Sequence, residues 1–110
     1  MPTHPQALSI DDANSIFLGN DGRSVLFSNR SGAFASLADY GQALADAERC
    51  VALRPDWAKG HTRKASALHG LARFTPAIDA YDAALALEPG NEALLSGRRQ
   101  SSFALAVESD

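Results

Sequence analysis

The sequence has too few cysteines for an internal disulfide, because Cys50 is its only one. A single cysteine excludes a disulfide-stapled scaffold and suits a reducing compartment. The sequence also lacks any run of about 18 apolar residues, the length that a membrane span needs, and its opening MPTHPQ has no signal-peptide core. Its formal net charge of −3 is not the basic excess typical of nucleic-acid binders. We therefore expect a cytoplasmic protein that binds neither nucleic acid nor membrane.

Patterns that carry catalysis are also scarce. No paired carboxylates, glycine-rich phosphate loop or Ser-His-Asp set stands out. Cys50 has no histidine or acid placed by the sequence pattern to activate it, so a core thiol is expected rather than a nucleophile. His61 and His69 are about two helical turns apart and have no obvious third ligand, which argues against a zinc site. We expect no enzymatic activity, no metal and no cofactor.

What the sequence does contain is a repeat in a helix-favouring composition. Alanine is abundant while valine and isoleucine are sparse, which favours helices over strands. Residues 37–57 recur at 71–91, an offset of 34 residues, with small residues, an aromatic and a closing proline in register. That period and pattern are the signature of tetratricopeptide repeats, in which small residues let two helices approach closely and proline ends the second. The matched pairs are Leu37 with Leu71, Tyr40 with Phe74, Ala43 with Ala77, Leu44 with Ile78, Val51 with Leu85, Leu53 with Leu87 and Pro55 with Pro89.

The repeat predicts an all-α fold, an antiparallel helix-hairpin solenoid of two full repeats plus a C-terminal capping helix. Residues 1–23 are interpreted as an N-terminal segment that is the remnant of a preceding repeat. Residues 24–57 and 58–91 are the two repeats, and residues 92–110 are the capping helix and tail.

Local signals refine the helix boundaries. The pair Asp21-Gly22 is expected to break the chain before the first helix, and Asp56 and Asn91 are expected N-caps. Four acidic residues of the second helices are expected to form a hydrated outer surface: Asp46, Glu48, Asp79 and Asp82. The expected helices cover residues 24–37, 40–53, 58–71, 74–87 and 91–106.

Two cations and an amide take related places on the first helices of the repeats. Lys59 and Arg63 are four residues apart, so they project from one helical face. Asn29 lies one repeat before Arg63. In one groove the three would suit carboxylates, because arginine binds a carboxylate bidentately and lysine adds a point charge. The alternatives are a solvated face for Lys59 and Arg63, and for Asn29 a hydrogen bond to the neighbouring turn.

Residues 24–106 resemble the first tetratricopeptide domain of the stress-inducible, chaperone-organising co-chaperones. The most specific parts of the resemblance are SNRS at 28–31, PDWAKG at 55–60 and the Arg-Lys pair at 63–64. The resemblance implies binding of the C-terminal Glu-Glu-Val-Asp tail of 70-kDa or 90-kDa heat-shock chaperones through a two-carboxylate clamp.

Carried over residue by residue, the resemblance assigns clamp roles to Asn29, Lys59 and Arg63. It also implies that the small side chains of Gly32 and Ala35 leave room for the peptide. Two further clamp members of the family, a lysine and an asparagine, are not found one repeat earlier, since no lysine precedes Lys59. Ser36 stands at a further basic clamp position and His61 replaces a tyrosine, so the implied clamp is partial.

The sequence therefore predicts a co-chaperone-like adaptor, a protein–protein interaction module for acidic C-terminal peptides. The alternative is a truncated or diverged repeat scaffold that forms a homo-oligomer or binds another partner without recognising such a tail. An open apolar face near Leu26 and Phe27, left by the missing repeat, is the expected surface for that alternative.

Overall fold

The computed structural model describes residues 19–109, and within that range the regular structure is entirely α-helical. Consecutive helices pack against each other as antiparallel pairs, and α1 also packs directly against α3. This arrangement confirms the predicted helix-hairpin architecture with a final capping helix. The helices are α1 Gly19–Ser36, α2 Tyr40–Leu53, α3 Ala58–Gly70, α4 Phe74–Leu87 and α5 Glu92–Ser109. None of these five, in the part of the chain described, has the length and apolar character needed to cross a membrane.

The first helix begins earlier than the sequence pattern indicates. Asp21 and Gly22, the expected break, lie inside α1, so that prediction is wrong. A glycine inside a helix costs only about 1 kcal/mol relative to alanine, and local contacts hold this turn. Ser24 Oγ donates to the carbonyl of Asp21 at 2.8 Å, and Arg54 of α2 pairs with the Asp21 carboxylate at 3.5 Å. Most of the segment interpreted as a repeat remnant, residues 1–18, lies outside the described range.

One of the two predicted N-caps is confirmed. Asn91 Oδ1 accepts a hydrogen bond from the backbone N–H of Leu94 at 3.2 Å. Asp56 does not cap α3, because it lies in the turn before the helix and Trp57 takes the N-cap position. An N-cap that the sequence reasoning missed is Asp39, whose carboxylate accepts from the backbone N–H of Gln42.

The helices α1 and α3 end in the same way, one repeat apart. Ala38 and Ala72 each adopt a left-handed backbone with φ of 59°. The N–H of Asp39 donates to the carbonyl of Phe34, and that of Arg73 to Leu68, each at 2.9 Å. These are Schellman ends, in which a left-handed residue turns the chain and satisfies the last carbonyls. An alanine there is strained, because only glycine adopts this conformation without a Cβ clash.

Replacing Ala38 or Ala72 by glycine is therefore expected to stabilise the fold by about 0.5–1 kcal/mol each, after the greater freedom of glycine in the unfolded chain is subtracted. Both alanines are exposed, so no packing is lost. Urea unfolding measures the change. The matched control is Ala86→Gly, an exposed position inside α4, which should lose about 0.5–1 kcal/mol. A loss of stability in all three variants would contradict the argument.

Small side chains fill the core between the helices. They allow the close approach of helices that the repeat pattern predicts. Cys50 is fully buried among them, and burial raises the pKa of its thiol, which confirms the prediction of a core residue. The buried alanines are Ala43, Ala47, Ala58, Ala65, Ala67, Ala77, Ala80 and Ala84.

Among residues 19–109, one fully buried side chain is charged. Asp46 of α2 is 0% exposed, so its expected place on a hydrated outer surface is wrong. Arg30 of α1 donates to both of its carboxylate oxygens, from Nε at 2.6 Å and Nη2 at 2.8 Å. Arg49 donates from Nη1 at 2.7 Å. The carboxylate therefore braces α1 against α2. The other three acidic residues are exposed, as predicted: Glu48, Asp79 and Asp82.

The two apolar residues expected to form an open face are not exposed. Phe27 is only 4% exposed, and the guanidinium of Arg49 lies 5.6 Å from the centre of its ring. Leu26 is half-buried, so the predicted open face at Leu26 and Phe27 is wrong. On α5, by contrast, Phe103 and Val107 are 72% and 56% exposed.

Candidate functional site

Helix α3 carries both predicted cations. It begins at Ala58, so Lys59 lies in its first turn and Arg63 follows one turn later. Residues four apart share a helical face. Lys59 is exposed and Arg63 is half-buried, because the arginine extends towards α1.

The guanidinium of Arg63 lies against α1 at two residues. Its Nε donates to Oγ of the buried Ser28 at 3.3 Å. It also fills the space beside Gly32, where a Cβ would lie 2.5 Å from Nη1 and 2.8 Å from Cζ. Of these two α1 residues, the sequence reasoning named Gly32 but missed Ser28. The family resemblance supplied Gly32, but no pattern in the sequence joins Ser28 to a residue 35 positions later.

The face of α1 that receives Arg63 continues to Asn29. Asn29 is exposed and lies three residues before Gly32, a spacing that places both on one side of the helix. Ala35 is half-buried further along α1. Among the hydrogen bonds of residues 19–109, none involves the side chain of Asn29 or Lys59. Both polar groups are therefore available to a ligand.

The two cations of the site are not paired with any carboxylate of the described helices. Within the described range, no carboxylate lies within 4 Å of the charged groups of Lys59 or Arg63. Other arginines of this range do have such partners. Arg30 and Arg49 pair with Asp46, Arg54 pairs with Asp21, and Arg98 pairs with Asp82. A carboxylate from outside would therefore meet two cations that have no competing anion among residues 19–109.

The two histidines of α3 have separate local partners. Nε2 of His61 lies 2.8 Å from the carbonyl of Pro55, in the turn that precedes the helix. Nδ1 of His69 lies 2.8 Å from Oγ of Ser101 on α5. These two contacts hold the ends of α3 against the neighbouring segments. They therefore help to fix the positions of Lys59 and Arg63. No group of three metal-ligating side chains occurs among the residues described.

Two much longer proteins are similar to the chain in sequence. It is 45% identical over 92 residues to the heat shock protein sti1 homolog of Schizosaccharomyces pombe, covering 84% of this chain. It is 50% identical over 83 residues to the Hsp70-Hsp90 organizing protein of Triticum aestivum, covering 76% of this chain. The chain spans only 14% of the length of either relative. No protein-family model matches it.

A solved structure with the same helix arrangement is the first TPR of Spaghetti (RPAP3), which was determined with the HSP90 peptide SRMEEVD bound to it. The two chains superpose with a TM-score of 0.73 at 32% sequence identity. The match covers 76% of this chain and 68% of that one. Together with the sequence relatives, it confirms the resemblance that the sequence motifs and the repeat indicate.

Proposed function

The chain belongs to the tetratricopeptide repeat domain family, and from that premise we propose that it binds the acidic C-terminal tail of a heat-shock chaperone of the 70-kDa or 90-kDa class. It acts as a co-chaperone-like adaptor in the cytoplasm, without catalysis. The observation that carries the proposal is the guanidinium of Arg63, held against α1 with no internal carboxylate beside it in the described range.

The proposed site has a cationic part and a part lined by small residues. Lys59 and Arg63 bind carboxylates of a Glu-Glu-Val-Asp tail, and Asn29 donates to the same peptide from α1. Ala35 leaves room for the peptide beside α1, while the space beside Gly32 is taken by the guanidinium of Arg63. Arginine gives paired, directional hydrogen bonds while lysine gives a point charge, so the site recognises a free carboxylate at a defined place.

The domain division follows the same premise. We propose that residues 24–57 and 58–91 are the two repeats that form the groove and that residues 92–110 cap it. Residues 1–23 are proposed to be the remnant of a preceding repeat.

Titration with the peptide SRMEEVD, as free acid and as C-terminal amide, tests the function. Amidation removes the terminal charge, and a hydrogen bond to a charged group contributes about 1.5–3 kcal/mol. Isothermal titration calorimetry is therefore expected to show that the amide binds roughly 10- to 100-fold more weakly than the free acid. Raising the salt concentration should weaken the free acid more than the amide. Equal affinity for both peptides, or none for either, would reject carboxylate recognition.

A further inference from the structure

Two residues of α1 form a seat for the guanidinium of Arg63. Ser28 and Gly32 lie one turn apart on the same side of the helix. Ser28 is 1% exposed and its Oγ accepts the hydrogen bond from Nε. Gly32 supplies the open space in which Nη1 and Cζ lie. We call Ser28 and Gly32 the Arg63 seat.

The second repeat has no such seat. The positions one repeat after Ser28 and Gly32 are Thr62 and Ser66 of α3. Thr62 Oγ1 donates to the carbonyl of Ala58 in its own helix at 2.9 Å, and Ser66 has a Cβ where Gly32 has none. The position one repeat after Arg63 is Gly97, and the ring of Tyr81 lies over it. The seat is therefore a feature of Arg63 and not a general result of repeat packing.

We infer that Ser28 and Gly32 are positioning residues that hold Arg63 ready for a ligand carboxylate, an inference that rests on the proposed function. The guanidinium has five N–H donors, and Ser28 takes the one on Nε. The terminal nitrogens Nη1 and Nη2 remain, and two parallel N–H donors match the two oxygens of a carboxylate. Ordering the side chain before binding reduces the entropy lost when the peptide binds.

Ser28→Ala tests the hydrogen bond. In the protein without peptide, the NMR signal of the Arg63 Nε–H is expected to shift and to exchange faster with water. Affinity for SRMEEVD is expected to fall by roughly 3- to 10-fold, because the variant loses the order of the Arg63 side chain but keeps its donors to the carboxylate. Ser28→Thr keeps the hydroxyl, and it should restore the signal and the affinity.

Gly32→Ala tests the space. The added methyl group displaces the guanidinium, so affinity is expected to fall by roughly tenfold or more. Alanine favours a helix over glycine, so the thermal midpoint should stay level or rise while binding weakens. If Gly32 had only a structural role, the thermal midpoint and the affinity for the peptide would fall together. Thr62→Ala, one repeat later, is the matched control and should change neither the Arg63 signal nor the affinity.

A double-variant comparison ties the effect to Arg63. In an Arg63→Lys background no Nε–H of arginine remains, so adding Ser28→Ala should cause no further loss of affinity. An equal loss in both backgrounds, or an Arg63 Nε–H signal unchanged by Ser28→Ala, would overturn the inference. If the Arg63 Nε–H signal responds to Ser28→Ala but neither the wild-type protein nor the variant binds the peptide, the contact between Ser28 and Arg63 is confirmed. Tail binding is then refuted, and with it the role of the Arg63 seat in holding a ligand.

Discussion

Arg63→Ala is expected to weaken binding of the peptide SRMEEVD by roughly 100-fold, the largest single loss among variants of the groove. Truncating a charged partner of this kind costs about 2–5 kcal/mol, because the ligand carboxylate then loses its paired donors. Lys59→Ala should cost roughly tenfold, since lysine contributes a point charge from an exposed position. Isothermal titration calorimetry with the free-acid peptide measures both.

Lys64→Ala is the control for net charge. Lys64 lies one repeat after Arg30, which turns towards α2 and not towards the groove. Its loss should change affinity by less than a factor of two or three, the effect of one screened charge. If Lys64→Ala weakened binding as much as Arg63→Ala, the peptide would be responding to overall charge and the groove would have no specific clamp.

The helix-hairpin architecture could be predicted from the sequence because the same residue pattern occurs twice, 34 residues apart. A substitution in one unit is offset by the equivalent residue in the other, so the 34-residue period survives even where Tyr40 is matched by Phe74. The small core residues also follow directly from this period, since helices must approach closely in every unit. The start of α1 did not follow, because Gly22 reads as a breaker until the contact between Asp21 and Arg54 of α2 is known.

The candidate site was also predictable only in part. The placement of Lys59 and Arg63 on one face depends on spacing within one helix, which a sequence displays. The contact of Arg63 with Ser28 depends instead on how α1 and α3 lie against each other, and 35 residues separate the two. A serine reads as an ordinary polar residue in a hydrophobicity pattern, so the pattern could not show that Ser28 is buried against Arg63.

The burial of Asp46 is the clearest feature that the repeat pattern could not predict. Its replacement by asparagine is expected to have the largest effect on stability. Asp46→Asn keeps the volume but removes the charge, and it places amide hydrogens beside the donors of Arg30 and Arg49. Removing one partner of a fully buried ion pair costs about 3–5 kcal/mol. Arg30 and Arg49 remain 32% and 51% exposed and can be rehydrated, so we expect about 2–4 kcal/mol.

A loss of this size should lower the thermal midpoint by roughly 10–20 °C in a domain of about 100 residues, measured by circular dichroism. Asp82→Asn is the matched control, because Asp82 and Arg98 are also 16 residues apart and also join two helices. Both partners of that pair are exposed, and exposed pairs contribute little, so the midpoint should hardly move. Equal shifts in the two variants would mean that burial of the Asp46 carboxylate adds nothing, and that α1 is held to α2 by the small apolar residues alone.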